Sequence, residues 1–487
     1  MATMTAVAWI GVMFLAAVVI RAKVKPIGNM LVPACLIGGI IGCILMNTVG
    51  LPGTTAAEYS TISGQMYTFM FINLGLTLPI PKDERTTLRG KGGIRGLRAR
   101  MGRSMLSGVV GMGSYWAMAY AFQALVAFYL LKVIGGIWDM DPLYGLMAPF
   151  AFAQGPGQAI TYGTTVEAAG WPNAIQVGIT YAAIGFLAAF LVGVPFAKKG
   201  MREGIACSKT PVSDELKLGF FPAEKQESYG KITTYSGNLD VMTFHIALVG
   251  ISWVLGQQVV ARIFALIPGY FGELFPTLLF FNGMIAAYGV RFVLTKLGLT
   301  KYMDRGTQVR ITNTCIDLMV LATFMAIDFQ IVASWVLPIL ITSVAVCAVT
   351  WVTIRYFGSR FGGENDFERT LAEWGTVTGT NATGLALVRI VDPENETTTA
   401  AELGPSNAVN VPAFFVVNGI LGYAAGAFGE SGLWINLGGV LLAYLIVMKV
   451  LGCWGKKTFD INKGEKYVDG VCYWRDGKSI PEREQDT

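Results

Sequence analysis

Leu143-Tyr-Gly-Leu-Met-Ala-Pro-Phe-Ala-Phe-Ala-Gln-Gly-Pro-Gly-Gln158 is apolar, breaks at Gly155-Pro156-Gly157, and turns apolar again through Ala159-Ile-Thr-Tyr-Gly-Thr-Thr165. A second stretch, Trp374-Gly-Thr-Val-Thr-Gly-Thr-Asn-Ala-Thr-Gly-Leu-Ala-Leu-Val388, has the same small, hydroxyl-rich character. Broken backbone of this kind is tolerated at membrane depth only where protein buries it or where it lines an aqueous cavity. Both read as re-entrant hairpins, over 143–168 and 367–393.

The surroundings of these stretches are those of a polytopic membrane protein. The chain has 487 residues, 53% hydrophobic and only 14% charged. So few charges cannot cover the surface of several soluble domains, which are nearer a quarter charged. Eleven apolar runs fall at 4–20, 30–46, 62–80, 104–131, 174–197, 241–267, 274–294, 313–327, 332–354, 407–428 and 432–452. A span needs roughly 20 residues. With the N-terminus outside, the inside loops hold 32 of the 37 Lys and Arg, eight of them in the basic run 81–103. The outside segments 47–61, 133–173, 268–273, 328–331 and 429–431 hold none. The positive-inside rule then gives N-out, C-in. In this setting the basic run is a topology determinant beside anionic lipid, not a nucleic-acid site.

The two hairpins sit at matching places. Asn173-Ala-Ile-Gln-Val177 follows the first and Asn407-Ala-Val-Asn-Val411 the second, an offset of 234 residues, and each opens a span. The expected fold is all-α, with inverted-topology repeats of five transmembrane helices, each repeat carrying one hairpin. The first repeat is 1–197, the cytoplasmic linker 198–240, the second repeat 241–428, an extra transmembrane helix 429–452 and a cytoplasmic tail 453–487. Inverted repeats with broken helices in corresponding positions point to a secondary transporter with its site where the broken helices meet. Seven scattered cysteines without C-x-x-C spacing exclude a disulfide framework and a zinc site. A single histidine, His245, excludes a Ser-His-Asp triad and reads as a packed residue. No nucleophile–base pair appears, so an enzyme is disfavoured. A channel would not require two hairpins.

The stretch Thr378-Gly-Thr-Asn-Ala-Thr-Gly-Leu-Ala-Leu-Val-Arg-Ile-Val-Asp-Pro393, followed by Gly404-Pro-Ser406, resembles the bacterial sodium/glutamate symporter family. Pro33-Ala-Cys-Leu-Ile-Gly-Gly39 and Asn73-Leu-Gly-Leu76 also match its patterns, and the likeness runs over residues 5–428. The first tip, Gln154-Gly-Pro-Gly-Gln158, departs from the Gly-His-Gly-Thr-like tip of many members, and the eleventh span is an addition to the usual ten. The resemblance implies symport of glutamate with Na⁺ as coupling ion and no further cofactor. It also implies a homodimer in the bacterial cytoplasmic membrane, in which one bundle moves against a fixed scaffold. A sodium-coupled carrier of another dicarboxylate, or of a hydroxycarboxylate such as citrate, is the alternative.

The residues offer matching chemistry. A carboxylate substrate must exchange its hydration for fixed dipoles and counter-charge. Half-helix N-termini supply both N–H groups and a positive dipole end. Gly155, Gly157, Gln158, Thr161, Gly379, Thr380, Asn381, Thr383 and Arg389 are the expected substrate-binding residues. Hard cations prefer oxygen ligands, which makes Thr376, Thr378, Gln176, Asn407, Asn410, Asp317 and Asp392 the sodium candidates. Each has a plainer reading, as a helix cap, a helix–helix hydrogen bond or an interfacial ion pair. Arg389 carries the sharpest expectation: of the five Lys and Arg outside the inside loops, it alone lies in a hairpin.

Overall fold

The computed structural model describes residues 2–29, 31–78, 94–207, 220, 222–226, 230–268, 270–392, 397–468 and 471–473. Lys82, Arg85, Arg89 and Lys91 of the basic run, and the linker residues 208–219, lie outside the described residues.

The described chain is mostly helix, because backbone away from water must satisfy its hydrogen bonds within the segment. The first half gives α1 (Ala2–Lys23), α2 (Ala34–Thr48), α3 (Ala56–Leu76), α4 (Ile94–Ile134), α5 (Met147–Phe152), α6 (Pro156–Ala168) and α7 (Ala174–Arg202). The second gives α8 (Val241–Leu255), α9 (Tyr270–Thr277), α10 (Leu279–Lys296), α11 (Arg305–Met325), α12 (Val336–Gly358), α13 (Asp366–Val377), α14 (Asn381–Val391), α15 (Thr399–Val409), α16 (Phe414–Ala424) and α17 (Glu430–Val450). Among the described residues six helices are long and apolar enough to cross a membrane, or seven if the bent pair α15–α16 is one span.

The described residues are consistent with the expected all-α membrane fold, with one addition and two breaks. The tail carries a small three-stranded antiparallel sheet of β1 (Phe459–Asp460), β2 (Glu465–Val468) and β3 (Val471–Tyr473). The tenth apolar run does not begin a span at Asn407. Its helix starts at Thr399 and bends by 53° beyond Val409. Asn407 is therefore inside α15, and Asn410 stands in the bend, where Pro412 removes a backbone donor. The seventh run is likewise divided, at Leu278, into α9 and α10.

The chain forms two compact units, and each draws on both halves of the sequence. The first gathers residues 1–17, 35–92 and 220–326. Within it α3 packs along α10 and α11. Asn73 Nδ2 donates to Gln308 O at 2.6 Å, Gln308 Nε2 donates to Leu76 O at 3.0 Å, and the Ser63 and Thr323 hydroxyls meet at 2.7 Å. These hydrogen bonds tie the buried polar groups of the helix pair together, as burial favours. Gly38, Gly39 and Gly42 let α2 close on Leu321, Phe324 and Met325 of α11, the small-residue packing of membrane helices. His245 is buried; its Nδ1 lies 2.7 Å from Val241 O, and Asp304 N donates to its Nε2 at 2.9 Å.

The second unit gathers residues 18–34, 93–219 and 327–487, so it contains both glycine-broken stretches. The first stretch forms a 3₁₀ turn (Pro142–Leu146) with α5, then α6 after a break at residues 153–155. The second forms α13 and α14, with the break at residues 378–380.

Candidate functional site

Gly155 caps the start of α6 with φ 86°, a backbone conformation that only glycine adopts freely. A Cβ at this position would stand 2.6 Å from Thr380 Cγ2 and 3.0 Å from Gly379 O. The two tips, distant in sequence, therefore touch. Both α6 and α14 begin at this contact, and each helix has lost the intrahelical acceptors for its first N–H groups. Two positive dipole ends converge there. On the first tip Thr161 Oγ1 donates to Gly157 O at 2.9 Å; on the second Thr380 is the N-cap, and its Oγ1 accepts from Thr383 N at 3.4 Å.

Neighbouring helices hold both tips. Trp116 Nε1 on α4 donates to Ala153 O at 2.9 Å, and Gln123 Nε2 on the same helix donates to Val377 O at 2.9 Å. A Cβ on Gly185 of α7 would come within 2.6 Å of Thr378 O. The arms of the second hairpin lie backbone to backbone: a Cβ on Gly375 would be 2.7 Å from Gly384 Cα. Trp374 anchors the arm to α7 through Nε1 and Ala189 O, at 3.1 Å. The tips thus sit in a rigid, close-packed frame, which is what a preorganised site requires.

Polar atoms are left over at the tips. Gln154 Oε1 and Gln158 Oε1 are buried and have no hydrogen-bond partner among the described residues. Buried acceptors of this kind are open to a donor from outside the fold. Asn381 Nδ2 donates to Asn407 Oδ1 at 3.4 Å, linking the second tip to α15. Arg389 lies on α14 with its side chain exposed, and no ion pair with Asp392 is found. Asp392 accepts instead from Thr397 N at 3.0 Å and Thr397 Oγ1 at 2.6 Å, closing the exit of the hairpin.

The other sodium candidates scatter. Thr376 and Thr378 donate their hydroxyl protons to Ala372 O and Trp374 O in their own helix turn, and their lone pairs remain to accept or coordinate. Gln176 Oε1 accepts from Asp328 N at 3.1 Å, joining α7 to the segment that leads to α12. Asn410 stands at the bend after α15, with no hydrogen bond to the tips. Asp317 belongs to the first unit, on α11 beside Cys35.

Arg389 is not the one basic residue of the second hairpin, because the stretch 367–393 also holds Arg369. Arg369 lies on α13 with 0% exposure, and its guanidinium grips Glu402 of α15 with Nε to Oε2 at 2.7 Å and Nη2 to Oε1 at 2.6 Å. Nη1 donates to Asp366 Oδ1 at 3.0 Å. The polar run Asp366-Phe-Glu-Arg-Thr370 resembled a solvated loop, and only the distant Glu402 explains its burial. Gln154 and Gln123 were missed for the same kind of reason: nothing in their local sequence marks which amide ends up without a partner.

The family model for the sodium/glutamate symporter matches residues 101–363, more than half of the chain. The matched region runs through α4, the first hairpin and α12, and stops just short of α13. No curated protein and no solved structure matches. With the family model spanning that share of the sequence, the chain belongs to the sodium/glutamate symporter family, a family of multi-pass membrane transporters.

Proposed function

We propose that this protein is a secondary active transporter that brings glutamate into the cell together with Na⁺. The observation that carries this reading is the meeting of the two tips, Gly155 against Gly379 and Thr380, with two helix N-termini converging on it. Substrate carboxylates take the first-turn N–H groups of α6 and α14, and Arg389 is the counter-charge nearby. The orphaned oxygens of Gln154 and Gln158 are acceptors for the substrate ammonium group. They favour an amino-dicarboxylate over a hydroxycarboxylate such as citrate, which brings carboxylates but no ammonium donor. Na⁺ is held by oxygens of the second tip, with Thr376, Thr378 and the adjacent carbonyls as the ligand set. Transport follows alternating access, with the hairpin-bearing unit as the moving body. In this reading the protein works as a homodimer in a bacterial cytoplasmic membrane.

The test is uptake of radiolabelled glutamate into proteoliposomes, with and without Na⁺, against a panel of unlabelled amino acids, dicarboxylates and citrate. Na⁺-dependent uptake competed by glutamate but not by citrate supports the proposal. Competition by citrate alone gives the site to a hydroxycarboxylate.

A further inference from the structure

Glu373 lies on α13, one turn from the Arg369 ion pairs and one turn from Val377, whose carbonyl supports the second tip. It is 1% exposed, and its Oε2 has no hydrogen-bond partner among the described residues. A buried carboxylate without counter-charge or donors is among the most expensive arrangements a protein can adopt.

Among the described residues no neighbour neutralises it. On its own helix, Arg369 is already engaged by two carboxylates, Asp366 and Glu402, and Glu368 accepts from Cys207 N. From α4, Tyr115 is the titratable group in electrostatic reach, and its hydroxyl is taken up by Thr350 O at 3.1 Å and the Thr353 hydroxyl at 2.9 Å. On α12, Arg355 lies over the Trp351 ring. Lys198 and Lys199 of α7 donate to Asn29 O and Asn462 Oδ1, and Tyr181 of α7 packs on Phe152. Arg389 of α14 is exposed, and Glu402 of α15 belongs to Arg369. A hard cation would need several converging oxygen ligands around the carboxyl. A proton needs only the carboxyl itself.

We propose that Glu373 is a proton-carrying site of the second hairpin. Its carboxyl takes one proton from water on the side where the hairpin is open. It holds that proton as the neutral acid in the closed packing seen here, and returns it to water on the opposite side. The O–H bond formed at loading is the bond broken at release, so each cycle moves one proton and leaves Glu373 unchanged. The inference rests on the transport reading, with the proton as a coupled ion beside Na⁺.

Two measurements on the full-length protein test it. The infrared C=O band of a protonated carboxyl should be present in the purified wild type at neutral pH and lost in Glu373→Gln. In proteoliposomes with an inward Na⁺ gradient and a lumenal pH dye, added glutamate should acidify the lumen for wild type and for Glu373→Asp, but not for Glu373→Gln. Glutamate uptake without lumenal acidification in the wild type overturns the proton role and leaves the transport reading standing. If no glutamate enters at all, the transport reading falls, and the infrared band decides the protonation independently: its absence from the wild type, or its survival in Glu373→Gln, overturns the proposal.

Discussion

Arg389 and Arg369 are two arginines on the two arms of one hairpin, and their surroundings assign them opposite work. Arg389 is exposed, and Asp392 is occupied by Thr397, so among the described residues no partner holds the guanidinium in place. A planar guanidinium binds a carboxylate through two parallel hydrogen bonds, a geometry lysine cannot reproduce. Arg389→Lys is therefore expected to raise the KM for glutamate by about tenfold, the loss of roughly one charged hydrogen bond, while Tm stays at the wild-type value. Uptake kinetics and a thermal melt on the same preparation check this; an unchanged KM with intact Tm removes Arg389 from the substrate site. Arg369 is the reverse case. Removing one partner of a buried ion pair costs about 3–5 kcal/mol, because the other charge is left stranded. Arg369→Met strands Asp366 and Glu402, so Tm should fall sharply, and a wild-type melt would contradict the assignment. The glycines of both tips were legible in the sequence because backbone demands leave a mark: Gly155 sits at φ 86° against another chain segment. Arg369 was not legible, since its partner Glu402 lies 33 residues away and local composition suggested solvent.

Among the helices, the ends carry as much information as the spans. Asp304 caps α11, and its Oδ2 accepts from Thr307 N at 2.6 Å and from Thr307 Oγ1 at 2.8 Å. Partial burial pushes this carboxyl up, but the hydrogen bonds from Thr307 and from the backbone of Lys231 and Gly306 outweigh it and hold it below the usual carboxylate range. A carboxyl lowered in the folded state stabilises that state above its unfolded titration range, and the contribution is lost as pH falls through the folded value. Asp304→Ala should thus lower stability by about 1 kcal/mol at neutral pH, and the gap from wild type should close in acid. A gap that persists in acid would show that the cap is not what the mutation removed. The apolar runs announced the helices well, since hydrophobicity is a property of the segment itself. The bend beyond Val409 was harder to place. Pro412 marks a break, but the helix before it, from Thr399, is only moderately apolar and read as a loop. The small sheet in the tail was invisible for a related reason: strands of two to four residues carry no periodicity.

Across the whole molecule, chain order and packing part company. The sequence divides into halves, whereas the compact units each take segments from both, and the unit with residues 93–219 and 327–487 receives both hairpins. Local patterns cannot reveal such an exchange, because it is set by contacts between segments more than a hundred residues apart. The charge asymmetry of the loops still makes a global prediction. Phe220 is 60% exposed in the segment between the two halves, and a single cysteine placed there, in a background without native cysteines, should react with an impermeant reagent only from the cytoplasmic side. Labelling from outside would overturn the inverted arrangement. If the meeting tips form the substrate site, equilibrium binding of radiolabelled glutamate depends on them. The purified full-length protein and Gly155→Ala would be compared with and without Na⁺. The alanine methyl would stand 2.6 Å from Thr380 Cγ2 and force the tips apart. Saturable, Na⁺-dependent binding by the wild type, lost in a folded Gly155→Ala protein, is the predicted result; binding of equal strength in both proteins, or indifferent to Na⁺, would contradict the account.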